Sequence, residues 1–418
     1  MPTPLHNAAR EIFQFALAAV DARKATRLAI EAHQQQFKDQ QIFVVSLGKA
    51  ALSMAMGLTD ALTQNINAGI VICPKSSNPS PLPNNWQLIF GGHPLPNEAS
   101  LAAAKAVNTL LQQANAAKAV VIFLISGGGS AMMEWPASAD ITLSDLQQAN
   151  QLMVTSGATI KEINVVRRAF SAVKGGGLIR NVEALTLIIS DTNAGDESSV
   201  ASGPTLMPPL DGPTPLEVIS RYELQSVLPS SIVKAINDYR QLPHSGSNHS
   251  YKVILDNRKA LEAAHSKARE LGFKGFIAES IVEQPIQEGC ELMLSELLSG
   301  SVDCVISGGE FSCPARGDGR GGRNLETVLR SAIVLDSIKP RENIVVLSAG
   351  TDGIDGNSTA AGAVADETTL EKARNRGLNA VDFLARSDSF TFFEQLEDLI
   401  VTGPTGTNVR DLRIFLKG

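Results

Sequence analysis

The chain has 418 residues, which at roughly 100–200 residues per domain predicts two or three domains. It is 44% hydrophobic, 19% charged and only 5% aromatic, with 34 glycines, a composition suited to an α/β protein with many tight strand-to-helix turns. The formal net charge of -7 offers no broad basic surface, which argues against nucleic acid and membrane partners.

In chain order, residues 5–37 predict one or two amphipathic helices. No signal-peptide core precedes them, no later run reaches the ~18 apolar residues of a membrane span, and a cytoplasmic location is expected. Strands follow at Ile42–Ser46, Gly69–Cys73 and Gln87–Phe90, then a helix at Asn97–Ala114 and a fully apolar strand at Ala119–Ser126. Strands apolar on both faces belong inside a parallel sheet. Thr142 with Asp145 predicts a capped helix start, and Ala184–Ser190 another buried strand.

A proline-dense stretch, Gly203–Pro215, and two short helices lead to QLPHSGSNHS (Gln241–Ser250), which marks a boundary. The expected domains are therefore residues 1–242, a doubly wound parallel sheet, and residues 243–418, a smaller α/β domain. In the second, the pattern restarts with strands at Lys252–Leu255, Gly275–Ala278, Val302–Ser307 and Asn343–Ser348, and closes with Leu412–Leu416. Cys73, Cys290, Cys304 and Cys313 have neither CxxC spacing nor a nearby histidine, so buried reduced thiols are expected.

Ligands of open α/β sheets bind beyond the carboxyl ends of strands, so the segments that follow each strand carry the functional signal. The first strand is followed by Gly48 and Lys49 at a helix start, a place for phosphate or carboxylate. It is not a Walker A loop. Ser126, Gly127, Gly128, Gly129 and Ser130 follow the fourth, and successive glycines let backbone N–H groups approach an anion.

Asp191 stands at the next strand tip, a metal or general-base position, with Asn193 and Asp196 beyond it. Glu310, Arg316, Arg323 and Asn324 lie in a segment rich in glycine and arginine that reads as a lid over a nucleotide. Gly350, Thr351, Asp352 and Asp355 follow another buried strand, and the acidic pair suits a hard cation. Asn408 lies in the last glycine-rich loop. Charge neutralisation, metal carboxylates and backbone donors are what phosphoryl transfer requires. The absence of a GxSxG elbow and the presence of only six histidines argue against a Ser-His-Asp hydrolase, and His93 is the one histidine in a site-like context.

Taken together, SLGKA, GGHPLPNEAS, SGGGSAM, KEINVVRR, KGGGL, ISDTNAGD, SGGEF, GRGGRNLE, SAGTDGIDG and TGPTGTNVRD resemble the class II glycerate 2-kinases, whose C-terminal module is called MOFRL. The resemblance runs from about Ser46 to Leu416. It implies a Rossmann-like N-terminal domain, an active site in the cleft between the domains, and phosphorylation of D-glycerate to 2-phosphoglycerate by ATP with Mg2+ or Mn2+.

The family's lysine and arginine fall on Lys49 and Arg323, and its acids on Asp191, Asp196, Glu310, Asp352 and Asp355, with Asp352 and Asp355 as metal candidates. Arg168 and Lys174 would add supporting charge. The expected partners are D-glycerate and ATP, and a homodimer is admitted. Two alternatives stand beside this reading: a kinase for a related small sugar acid, and a hydroxypyruvate reductase, a name also used in the family. The reductase requires a GxGxxG fingerprint, which SLGKAALSMAMG lacks.

Overall fold

Alternating apolar strands and helices build two sheets in the computed structural model, which describes residues 3–62, 64–75, 81–179, 182–209, 211–240, 249–300 and 302–418. The backbone forms two compact units, one of Ala22–Leu255 and one that joins Met1–Asp21 to Asp256–Gly418.

The first unit holds β1 (Ile42–Leu47), β2 (Ile66–Cys73), β3 (Trp86–Phe90), β4 (Val120–Ser126), β5 (Glu183–Ile189) and β6 (His249–Leu255). They form one parallel sheet in the order β3-β2-β1-β4-β5-β6, the Rossmann-like arrangement. Side chains alternate between faces along each strand. Ile70 and Ile72 of β2 pack with Ala103, Ala104 and Val107 of the helix Glu98–Ala116. Val71 and Cys73 meet Ala51, Leu52 and Ala55 of the helix Ala51–Ala61 on the other face. The sheet is therefore covered on both sides, which is why β4 is apolar and buried along its whole length.

The second unit holds β7 (Gly275–Ile277), β8 (Cys304–Gly309), β9 (Ile344–Gly350), β10 (Gly362–Asp366), β11 (Leu399–Ile400) and β12 (Asp411–Lys417), in the order β11-β10-β9-β12-β8-β7. This sheet is mixed, with β12 antiparallel to both β8 and β9. Ile306, Leu347 and Ile414 pack under Ile12 and Phe13 of the helix Pro4–Ala19 and Ala264 of the helix Asn257–Glu270. The alternate residues Val305, Val346 and Phe415 face Leu294 of the helix Ile286–Ser299 and Leu325 and Val328 of the helix Arg323–Ile338.

The boundary expected after residue 242 differs from this division. Residues 241–248 lie outside the described residues, and the strand beyond them closes the first sheet beside β5, with Leu187 opposite Lys252. The first amphipathic helix crosses over to cover the second sheet. Strand pairing and helix docking are nonlocal, and neither appears in a local pattern. The capped helix start at Thr142 is present, with Asp145 N donating to Thr142 Oγ1 at 3.1 Å and Thr142 N to Asp145 Oδ2 at 2.9 Å.

All four cysteines are free thiols. Burial pushes Cys290 up to about 11 and Cys304 and Cys313 up to about 12, which keeps these three protonated at neutral pH. Among the described residues no helix is long and apolar enough to cross a membrane.

Candidate active site

Three strand ends of the first unit converge where the strand order reverses. β1 runs out into Gly48 and Lys49, β4 into Gly127–Ser130 and β5 towards Asp191. β1 and β4 are neighbours at the point where the strand order reverses, the place where open sheets of this kind bind ligands. The loops are interlocked: Lys49 N donates to Gly127 O at 2.9 Å, and Ala50 N donates to Ser126 Oγ at 3.0 Å. Ser126 Oγ in turn donates to Leu47 O at 3.3 Å and is fully buried, so this serine shapes the loop. Gly48 has φ +116°, and a Cβ there would strike Ser126, so only glycine lets β1 end this close to the β4 loop.

A Cβ on Gly127 would collide with the Asp191 carboxylate. One on Gly128 would stand 3.1 Å from Lys49 Cγ and 3.4 Å from His93 Nε2. The stem of Lys49, the His93 imidazole and the Asp191 carboxylate thus surround one glycine loop. Gly129 and Ser130 open the short helix Gly129–Met132, whose first N–H groups have no partner inside the helix. Ser130 Oγ lies 2.5 Å from Ser202 Oγ, which donates to Asn164 Oδ1 at 2.8 Å. Asn193 and Asp196 fold the β5 loop on itself: Asp196 N donates to Asn193 O at 3.0 Å, and the Asp196 carboxylate pairs with Lys161 at 2.9 Å. Lys174, expected to add charge to the site, is instead buried against Glu134 and Ser171.

In the second unit the ends of β8 and β9 and the start of β12 meet the first turn of the helix Arg323–Ile338. Arg323 Nε donates to Asp411 Oδ2 at 2.5 Å, and Arg323 Nη2 approaches Asp411 Oδ1 at 3.2 Å and Glu310 Oε1 at 2.9 Å. Asn324 Nδ2 donates to Asp411 Oδ1 at 2.9 Å, and Ser348 Oγ donates to Asn324 Oδ1 at 2.6 Å. Asp355 receives the helix start, accepting from Asn324 N at 3.1 Å and Leu325 N at 2.8 Å. It caps this helix from a distant loop.

Burial would raise the Asp411 carboxyl, but Arg323 beside it overrides this and holds it below the usual range. Burial likewise works against the Arg323 charge, and Asp411 and Glu310 more than restore it. Asp355 goes the other way: burial, with Asp411 adding to it, pushes its carboxyl up to about 7 against the helix N–H donors.

A folded value above the unfolded one means that the contribution of Asp355 to stability is complete below about pH 4 and is lost as pH rises through about 7. Asp355→Asn cannot titrate. The stability of the wild type relative to Asp355→Asn is therefore expected to fall between pH 4 and pH 8, as urea unfolding at each pH would report. A constant difference would contradict this.

The segment read as a lid is fastened. Arg316 N donates to Ser387 Oγ at 3.0 Å, Gly319 N to Arg386 O at 3.1 Å, Arg320 N to Asp388 Oδ1 at 3.0 Å and Gly321 N to Asn357 Oδ1 at 2.8 Å. The Arg320 guanidinium also lies 4.1 Å from the centre of the Phe390 ring. Its glycines serve close backbone approach. Arg316 itself is exposed.

Gly350 and Thr351 are built into the fold, with Gly350 N donating to Ala361 O at 2.8 Å and Thr351 Oγ1 to Arg410 O at 2.7 Å. Asn408 is buried and accepts from Arg410 N at 3.3 Å. Asp352 accepts from Ile354 N at 3.2 Å. Asp352 and Asp355 do not fit a metal pair, because both Asp355 oxygens already accept helix N–H groups. Among the described residues no three His, Cys, Asp or Glu side chains form a metal-binding group.

Sequence reasoning missed Asp411, the partner of Arg323, and Asn257, whose Nδ2 donates to Val409 O at 2.7 Å while its Oδ1 accepts from Gly309 N at 3.0 Å. The available signal for Asp411 was a carboxylate opening the strand DLRIFLK, ahead of the apolar Leu412, Ile414, Phe415 and Leu416.

This fold and this loop cluster define an α/β enzyme with glycine-rich loops at the switch point of a parallel sheet. Residues 8–237 match the family described as a domain of unknown function, DUF4147, and residues 303–411 match the MOFRL family. The chain belongs to the glycerate kinase family that combines these two modules. It is 30% identical to the D-glycerate 2-kinase of Thermotoga maritima over 99% of each chain. The crystal structure of the glycerate kinase of that organism matches with a TM-score of 0.84 and 30% identity over 100% of both chains. A protein of Agrobacterium vitis, named provisionally as a hydroxypyruvate reductase, is 33% identical over 98% of this chain and 94% of its own.

Proposed function

We propose that this protein transfers the terminal phosphoryl group of ATP to the 2-hydroxyl of D-glycerate, with the cytoplasm as its site of action. The observation that carries the reading is the full-length likeness to a D-glycerate 2-kinase, and the gathering of Lys49, His93 and Asp191 around the Gly127–Ser130 loop supports it. In the proposed step the substrate hydroxyl oxygen bonds to the γ-phosphorus, the bond to the ADP oxygen breaks, and the hydroxyl proton passes to Asp191. Lys49 and the glycine-loop N–H groups neutralise charge on the transferring group. In the second unit Arg323, held in place by Asp411 and Glu310, offers its guanidinium to a phosphate or carboxylate group. A divalent ion, Mg2+ or Mn2+, would accompany ATP and would neutralise charge on its phosphates.

The reductase reading predicts a dinucleotide fingerprint after β1, where Gly48 and Lys49 stand instead. The test is ADP formation from MgATP by the purified protein with D-glycerate, L-glycerate and four-carbon hydroxy acids in turn. The expected result is ADP formation with D-glycerate and no NADH oxidation with hydroxypyruvate. A preference for a four-carbon acid would reassign the substrate, and NADH oxidation without ADP formation would overturn the kinase.

A further inference from the structure

A cavity of about 640 Å³ lies within the unit Ala22–Leu255, beside the helix Ile160–Phe170. Lys161, Val165 and Arg168 line it from successive turns of one helix face. The stem of Arg168 packs beside Gly175, where a Cβ would stand 3.2 Å from its Cγ and Cδ. Arg168 Nε is buried without a hydrogen-bond partner, and among the described residues no carboxylate forms an ion pair with this guanidinium. Arg168 itself is half-buried, and a buried N–H without a partner is unfavourable until an acceptor meets it.

The remaining lining narrows the class of anion. Arg240 joins Lys161 and Arg168 as a third cation, against the carboxylates of Asp196, which pairs with Lys161, and Asp211, while Pro208, Leu216 and Tyr239 supply a flat, largely apolar wall. The volume lies in the roughly 300–1,000 Å³ range of small-molecule sites and far exceeds what a three-carbon acid fills. The cavity is also tied to the switch point. Asn164, one turn before Arg168, connects through Ser202 to Ser130 of the glycine loop, and Lys161 pairs with Asp196 in the loop that carries Asp191.

We propose that this cavity binds the nucleoside triphosphate of the reaction, with Arg168 on a phosphate and the wall of Pro208, Leu216 and Tyr239 against the nucleoside. The identity of the nucleotide as ATP rests on the kinase reading above.

The test is calorimetric titration of the full chain with MgATP, together with KM values for ATP and for D-glycerate. Arg168→Ala is expected to weaken ATP binding and raise KM for ATP by about tenfold or more, since it removes a charge-assisted contact. KM for D-glycerate should stay unchanged, and Arg168→Lys should recover part of the loss. Leu216→Trp, at a wall residue that is 44% exposed, should crowd the cavity and weaken ATP binding without touching the guanidinium. Unchanged ATP binding and unchanged KM for ATP in both folded variants would overturn the proposal, whether or not ADP is formed. So would Arg168-dependent binding of inorganic phosphate with no effect on ATP. If ATP binding depends on Arg168 and Leu216 but no hydroxy acid gives ADP, the cavity proposal stands and the kinase reading fails.

Discussion

Replacing Lys49 with methionine is expected to lower kcat on the order of 10²-fold or more, while the unfolding transition stays close to that of the wild type. Lys49 leaves β1 at the point where its own N–H is fixed to Gly127 O at 2.9 Å, and its stem runs beside Gly128. The backbone and the start of the side chain are thereby fixed beside the glycine loop, within reach of an anion bound there. Methionine keeps the stem and removes the charge, which isolates the electrostatic effect from packing. Steady-state kinetics on the folded variant would check it, and a near-normal kcat would remove Lys49 from the mechanism.

The second large effect is on stability. Lys174 and Glu134 are 5% and 1% exposed, their charged ends are in contact, and Ser171 Oγ also donates to the same carboxylate. Burial pulls the Lys174 ammonium below its ordinary range, with Glu134 opposing it. Removing one partner strands the other charge in the interior, so Lys174→Met is expected to destabilise the protein by roughly 3–5 kcal/mol. Adding Glu134→Leu to the same chain should recover a large part of that loss, because the unpaired carboxylate is then gone as well. Urea unfolding of the single and double variants would show this. Equal stabilities for the wild type and Lys174→Met would contradict it.

What the sequence revealed and what it concealed have separate physical origins. The central strands of the first sheet were legible because both of their faces are buried, and IFVVS and VVIFLIS read as apolar without interruption. The loops after them were legible because glycine runs and a lysine are conspicuous where a strand stops. β10, with the sequence GAVAD, was not, since its small residues lack a strand signature and it is recognisable only by pairing with β9. The assignment of β6 to the first sheet, and of the helix Pro4–Ala19 to the second, depends on contacts distant in sequence. Asp355 shows the same limit at the site: next to Asp352 it reads as a cation ligand, yet it folds onto the first turn of a helix that begins 32 residues earlier, at Arg323. Asp411 was hidden for a related reason, because a carboxylate at a strand start is informative only once its arginine is seen beside it.

The most direct measurement of the central claim follows the product of ATP and D-glycerate with enolase alone as the coupling enzyme, since enolase accepts a phosphate on the 2-position and not on the 3-position. Glycerate-dependent formation of phosphoenolpyruvate, matched by ADP release, is the result expected of a glycerate 2-kinase. ADP release without phosphoenolpyruvate would move the phosphoryl group to the 3-hydroxyl and contradict the assignment.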